Sequence, residues 1–167
     1  MASCGMKQFL PFRKDTGIGL IDIIVSVGVI MIALLGVSQI AILGTQNVRE
    51  AHTKEKAIYL AQEGQEVLRF LRDYSWATYI ASLNTGQDYY VTRSGSTWVI
   101  QSTDPGLIDN KYTRTVRFES VNRDGNDDIA TTGTLDPGTR EAIVTVDWDT
   151  GARSYVLTSY LTDFLSN

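Results

Sequence analysis

Two groups of residues in this chain have the types and spacing to do chemistry. In the stretch "RDGNDDIATTGTLDPGT", Arg123 to Thr139, the residues Asp124, Asn126, Asp127, Asp128 and Asp136 crowd side-chain oxygens into one connection between strands. Calcium takes six to eight oxygen ligands, which alternating Asp and Asn side chains and loop carbonyls can supply, so this stretch is a candidate calcium site. It lacks the glutamate that closes an EF-hand loop, and Asp-Gly-Asn is also ordinary turn chemistry. The second group is a single acid, Asp22, near the start of the apolar run "KDTGIGLIDIIVSVGVIMIALLG", Lys14 to Gly36. A carboxylate there can complement the dipole of a helix in its first turn, or it can pair with a cation that would otherwise sit alone at membrane depth. His52, the only histidine, stands beside Glu50 and Glu55 without a Ser or Cys nucleophile nearby, so it makes no triad. There is no G-x-G-x-x-G, phosphate-binding loop or H-E-x-x-H. Tyr89, Tyr90, Trp98 and Trp148 could line a sugar site, but in strands such residues read first as core or cross-strand partners. No enzymatic activity is expected.

The elements that must position these residues follow from how hydrophobicity is distributed. A chain of 167 residues suits one compact domain plus an appendage. The formal net charge is -4, and the basic residues are scattered, which argues against a nucleic-acid footprint. The one cysteine, Cys4, precedes the apolar run, so loss of the N-terminal preamble would leave no thiol, disulfide or cysteine metal site.

From Ile23 to Val48 no residue is charged, and Ile, Val, Leu and Ala dominate. As a helix this run would be roughly 39 Å long, more than the ~30 Å hydrocarbon thickness, so it reads as a membrane span. Lys7, Arg13 and Lys14 precede it, whereas Arg49 and Glu50 nearly cancel at its far end. The positive-inside rule then leaves the N-terminus cytoplasmic and everything after the span outside. A secretory signal would have a shorter apolar part and a small-residue cleavage site after it; neither is present, so the helix is expected to be retained.

Beyond Thr45 the helical period continues in "TQNVREAHTKEKAIYLAQEGQEVLRFLRDYSW". Ala57, Ala61, Gly64, Leu68 and Leu71 fall on one stripe, which predicts an amphipathic helix to about Tyr74. No proline between Pro11 and Pro105 breaks it. From Gln87 the period becomes two. "DYYVT", "TWVIQ", "YTRTVRFESV", "AIVTVDW" and "YVLTSYLTDF" read as strands separated by the turns "RSGS", "STDPG", "NRDGNDD", "LDPGTR" and "DTGA". Short turns make neighbouring strands antiparallel, and the helical stripe is the natural cover for their apolar face. Trp76, Tyr79 and Ile80, in the linker between helix and sheet, are expected to pack underneath. The predicted class is therefore α+β, a long N-terminal helix packed on a C-terminal antiparallel sheet.

The stretch "TGIGLIDIIVSVGVIMIALLG" after a short basic leader resembles the class III signal of type IV pilins and pseudopilins. Gly17 matches the glycine before the cut, and Ile18 the residue that becomes the new, usually N-methylated, terminus. Leu20 and Ile21 match the family's Leu-Ile pair, and Asp22 stands where the family carries glutamate. The resemblance also departs in three ways: Asp22 is one methylene shorter than Glu, Gly19 replaces a common Thr or Ser, and the C-terminal cysteine pair of many major pilins is missing.

The resemblance implies a leader 1–17, a membrane and filament-core helix 18–44, an amphipathic helix 45–75 and a linker with a sheet ectodomain 76–167. It further implies cleavage between Gly17 and Ile18 by a prepilin peptidase, N-methylation of Ile18, and assembly in which Asp22, with Leu20 and Ile21, pairs with the new amine of a neighbouring copy. The expected partners are further copies in a helical filament, the peptidase, the membrane, the pilus assembly platform and minor pilins, with no direct nucleic-acid binding. Calcium at the acidic loop is the one possible cofactor. Two alternatives remain: a secretion or competence pseudopilin, and a monomeric single-pass anchored binding module that never polymerises.

Overall fold

The computed structural model describes residues 19–165, and the chain divides into two units at Asn47 and Val48. One α-helix, α1 (Leu20–Tyr74), supplies the described part of the first unit and the opening of the second. Within the first unit its apolar side chains are exposed all round, from Leu20 and Ile21 to Leu43. The hydroxyls in this stretch need no solvent, because Ser26, Ser38 and Thr45 donate to the carbonyls of Asp22, Leu34 and Ile42 at 2.6, 2.8 and 2.8 Å. A helix this long, apolar and internally satisfied could span a membrane.

In the second unit the helix becomes one-sided. Ala57, Ala61, Gly64, Leu68 and Leu71, the predicted stripe, are all buried. Their cover is a sheet built from β1 (Asp88–Ser94), β2 (Thr97–Gln101), β3 (Thr113–Arg123), β4 (Ile129–Ala130), β5 (Thr134–Trp148) and β6 (Arg153–Thr162). The order across the sheet is β2-β1-β3-β5-β6, with β4 on β3, and every pair is antiparallel. In β5, Ala142, Val144, Val146 and Trp148 are buried, while Glu141, Ile143, Thr145 and Asp147 between them are half-exposed. Trp76 and Ile80 are buried and Tyr79 packs against the core, around a π-helical turn, Ala77–Ala81.

The structure corrects one expectation about the strands and adds a short strand to them. "LDPGTR" is not a turn but part of β5, where the register slips so that Ser120 faces Arg140 and Val121 faces Asp136. Asp-Pro-Gly makes a bulge here: Pro137 has no N–H to contribute to the ladder, and Asp136 Oδ1 accepts the Gly138 N–H at 2.9 Å. The chain reverses earlier, in the Asp124–Asp128 turn between β3 and β4, where the Asp124 N–H donates to the Asp128 carbonyl at 2.9 Å. β4 and β5 then run in the same direction, joined past Gly133, whose φ of 142° suits glycine and where a Cβ would meet the Arg123 carbonyl oxygen at 2.1 Å. β4, of two residues, is too short to leave a periodic signal.

Helix and sheet approach each other closely at Gly64. A Cβ there would stand 3.0 Å from Val144 Cγ1 and 3.1 Å from Arg114 Cδ. Arg114 is 5% exposed, and its guanidinium donates to the Leu60 and Val91 carbonyls at 2.9 and 3.2 Å and to Glu63 Oε2 at 2.8 Å. Each donation offsets part of the cost of taking that charge out of water. Gly64→Ala should therefore destabilise the second unit by about 1–3 kcal/mol, seen as a lower denaturation midpoint with unchanged slope. An unchanged midpoint would show that helix and sheet can part slightly at no cost.

Candidate functional site

The site at the start of α1 rests on Gly19, the residue that precedes the helix. The Asp22 N–H donates to the Gly19 carbonyl at 2.9 Å, and the Asp22 carboxylate reaches back to accept the Gly19 N–H at 3.3 Å. This is half of a capping box, and it places the acid at the positive end of the helix dipole. Leu20 and Ile21 beside it are 76% and 74% exposed, so no described residue covers this turn. Gly17 and Ile18 lie outside the described residues. Among the described residues, Asp22 keeps acceptor capacity that one backbone hydrogen bond does not use.

The acidic loop is organised by a residue that sequence reasoning passed over. Arg123 closes β3, and its Nε donates to Asp136 Oδ2 at 2.7 Å and lies 3.6 Å from Asp127 Oδ1. One of its terminal nitrogens donates to the Asp127 carbonyl at 2.8 Å. Asp124 Oδ1 accepts the Asn126 and Asp128 N–H groups at 2.8 and 3.1 Å, the hydrogen-bonded turn its composition allows. The five predicted oxygen donors are thus neighbours, but Asp124 is turned to its own loop amides and Asp136 to Arg123. Among the described residues no three His, Cys, Asp or Glu side chains converge on one point. Calcium at this loop would have to displace the Arg123 guanidinium from Asp136. The available signal was Arg123 itself, a cation immediately before the first Asp.

His52 lies on an exposed helix face, 3.5 Å from Glu55. Tyr89 and Trp148 are core residues, and the Trp98 ring is flanked by the guanidinium groups of Arg93 and Arg114 at 5.2 and 5.8 Å. Of the four, only Tyr90 and Trp98 line one open pocket together.

Two carboxyls in this unit respond to pH in opposite ways. The hydrogen bond from Arg123, helped by Thr139, holds Asp136 below the usual carboxylate range. A depressed folded-state value adds stability above the ordinary carboxylate range, and that stability is lost as pH falls through the lowered value. Burial, with the nearby charge of Asp88, raises Asp147, so ionising it costs stability as pH rises through the carboxylate range. Asp136→Asn should lower stability at neutral pH and flatten the acid limb of a melting profile, whereas Asp147→Asn should raise the neutral melting temperature. The same profile for all three proteins would remove both assignments. Comparison of the chain with protein-family models, with curated proteins and with solved structures finds no significant match, so its functional reading rests on its own residues.

Proposed function

We propose that this chain is the structural subunit of a type IV pilus or related filament. In this reading a prepilin peptidase cuts between Gly17 and Ile18, and Ile18 becomes the methylated terminus. The subunit waits as a single-pass membrane protein with its N-terminus cytoplasmic and its sheet unit outside. An assembly platform, with minor pilins, then draws copies into an extracellular filament cored by their apolar helices. The observation that carries the reading is the helix before Asn47: exposed and apolar on every side, with one acid in its first turn. A surface with no polar face needs lipid or further copies of itself around it, and a filament supplies the second after the membrane has supplied the first.

Asp22 acts in assembly, where its free acceptor capacity meets the Ile18 amine of a neighbouring copy. Pairing the two relieves part of the cost of holding each charge in an apolar core. The acidic excess of the chain offers no electrostatic reason to bind nucleic acid. A second reading, a monomeric anchored binding module, is favoured by the Gly19–Asp22 hydrogen bond, since capping its own helix is all that such an anchor would ask of the acid.

N-terminal sequencing of the mature protein should begin at Ile18; a start at Met1 or Ala2 ends the filament reading. Asp22→Ala should leave membrane insertion intact and reduce subunit incorporation about tenfold, as expected for an ion pair worth about 1.4 kcal/mol. Equal filament yield from both proteins would take the pairing role away from Asp22.

A further inference from the structure

A cavity of about 170 Å³ opens where three pieces of the second unit meet. The helix contributes Arg49, Glu50 and Thr53, the turn before β3 contributes Lys111, and the β5–β6 hairpin contributes Trp148, Asp149 and Arg153. The pieces are tied together around it. Lys111 Nζ donates to Thr53 Oγ1 at 3.1 Å, the Tyr112 hydroxyl donates to the Thr53 carbonyl at 3.2 Å, and Lys56 pairs with Asp109 at 3.1 Å. Lys111 is thereby held at the cavity wall rather than left free to sweep the solvent.

The charges there do not balance. Arg153 pairs with Glu50 at 3.2 Å and lies 3.7 Å from Asp149, so both acids of the cavity are engaged with one cation. Among the described residues neither Arg49 nor Lys111 has a carboxylate partner, and the Lys111 ammonium retains donors beyond the one given to Thr53. Trp148, 5% exposed, forms part of the wall. Two cations without carboxylate partners at the wall of a small cavity match a singly charged anion with several acceptor oxygens, as in a phosphate ester.

Sequence position selects the source of that phosphate. Arg49 is the first charge after the uncharged run Ile23–Val48, so a chain anchored by that run carries Arg49 at headgroup depth. We propose that the cavity takes the phosphodiester headgroup of an anionic lipid in the outer leaflet and holds the second unit to the membrane surface until assembly. The inference rests on the reading of Ile23–Val48 as the span. It adds a lipid class and a second, releasable attachment to that anchor. A mixture of zwitterionic and anionic lipids would then set how firmly the unit is held before it enters a filament.

The test uses the full chain reconstituted in vesicles of phosphatidylcholine alone or with about 30% phosphatidylglycerol, read by amide hydrogen exchange of the Asp109–Lys111 turn and the Trp148–Arg153 hairpin. Flotation with both vesicles is required by the span, and failure with both removes the span and this proposal together. With the span intact, exchange in these two segments should be about fivefold slower in the anionic vesicles, the effect of one well-placed cation near a charged surface. The double variant Arg49→Gln, Lys111→Gln should lose that difference, and Lys54→Gln, outside the cavity wall, should keep it. Equal exchange in the two vesicles, or equal loss in Lys54→Gln, overturns the site. Equal protection by inorganic phosphate in phosphatidylcholine vesicles overturns the lipid as its ligand.

Discussion

One uninterrupted helix must suit two kinds of surroundings, and the rest of the molecule follows from that. The hydrogen-bond ladder of α1 runs from Leu20 to Tyr74 whatever lies outside it, so only the side chains can adapt. Before Asn47 they are almost all apolar, apart from Asp22, Gln39, Gln46 and a few hydroxyls, of which Ser26, Ser38 and Thr45 are turned back onto the helix's own carbonyls. After Val48 a single stripe stays apolar, and the sheet covers it. Continuity of the backbone lets one element carry a stretch apolar enough to cross a membrane at one end and half of a packed core at the other.

That core depends on a contact that neither partner could make alone. Gly64 leaves space in the helical stripe, and Val144 and the Arg114 stem come up against it. The Arg114 head then reaches past the helix to Leu60, Glu63 and Val91. A buried guanidinium is costly unless its donors are met, and here helix and sheet each supply an acceptor, so the charge links the two layers. Its Nε remains without a partner, which marks this network as less than fully satisfied. A larger side chain at Gly64 would disturb apolar packing and the guanidinium together.

In the acidic loop several of the charged residues are already partnered by their own surroundings. Five oxygen-bearing residues in one connection are what a calcium loop needs, yet an arginine at the end of the adjoining strand takes up Asp136, and the loop's own amides take up Asp124. Asp22 too is partnered within its own element. Bonding to its own helix start orients the carboxylate without exhausting it.

Much of the fold was legible in the residues because it follows from periodicity. Spacings of three and four placed Ala57, Ala61, Gly64, Leu68 and Leu71 on one buried face, and alternation placed Val144, Val146 and Trp148 on another. The long uncharged run is a property of composition, and its exposure followed from it. What periodicity does not encode is which strands pair, and in what register. A chain reading "LDPGTR" carries the same Asp, Pro and Gly whether they reverse the chain or bulge a strand, and only the pairing of β5 with β3 decided for the bulge. For the same reason Arg123 in the acidic loop, and Arg49, Lys111 and Trp148 around one cavity, came together only in three dimensions. Local sequence determined the elements and their faces, because those depend on near neighbours; tertiary structure decided the charge partners, because they come from residues far apart in the chain.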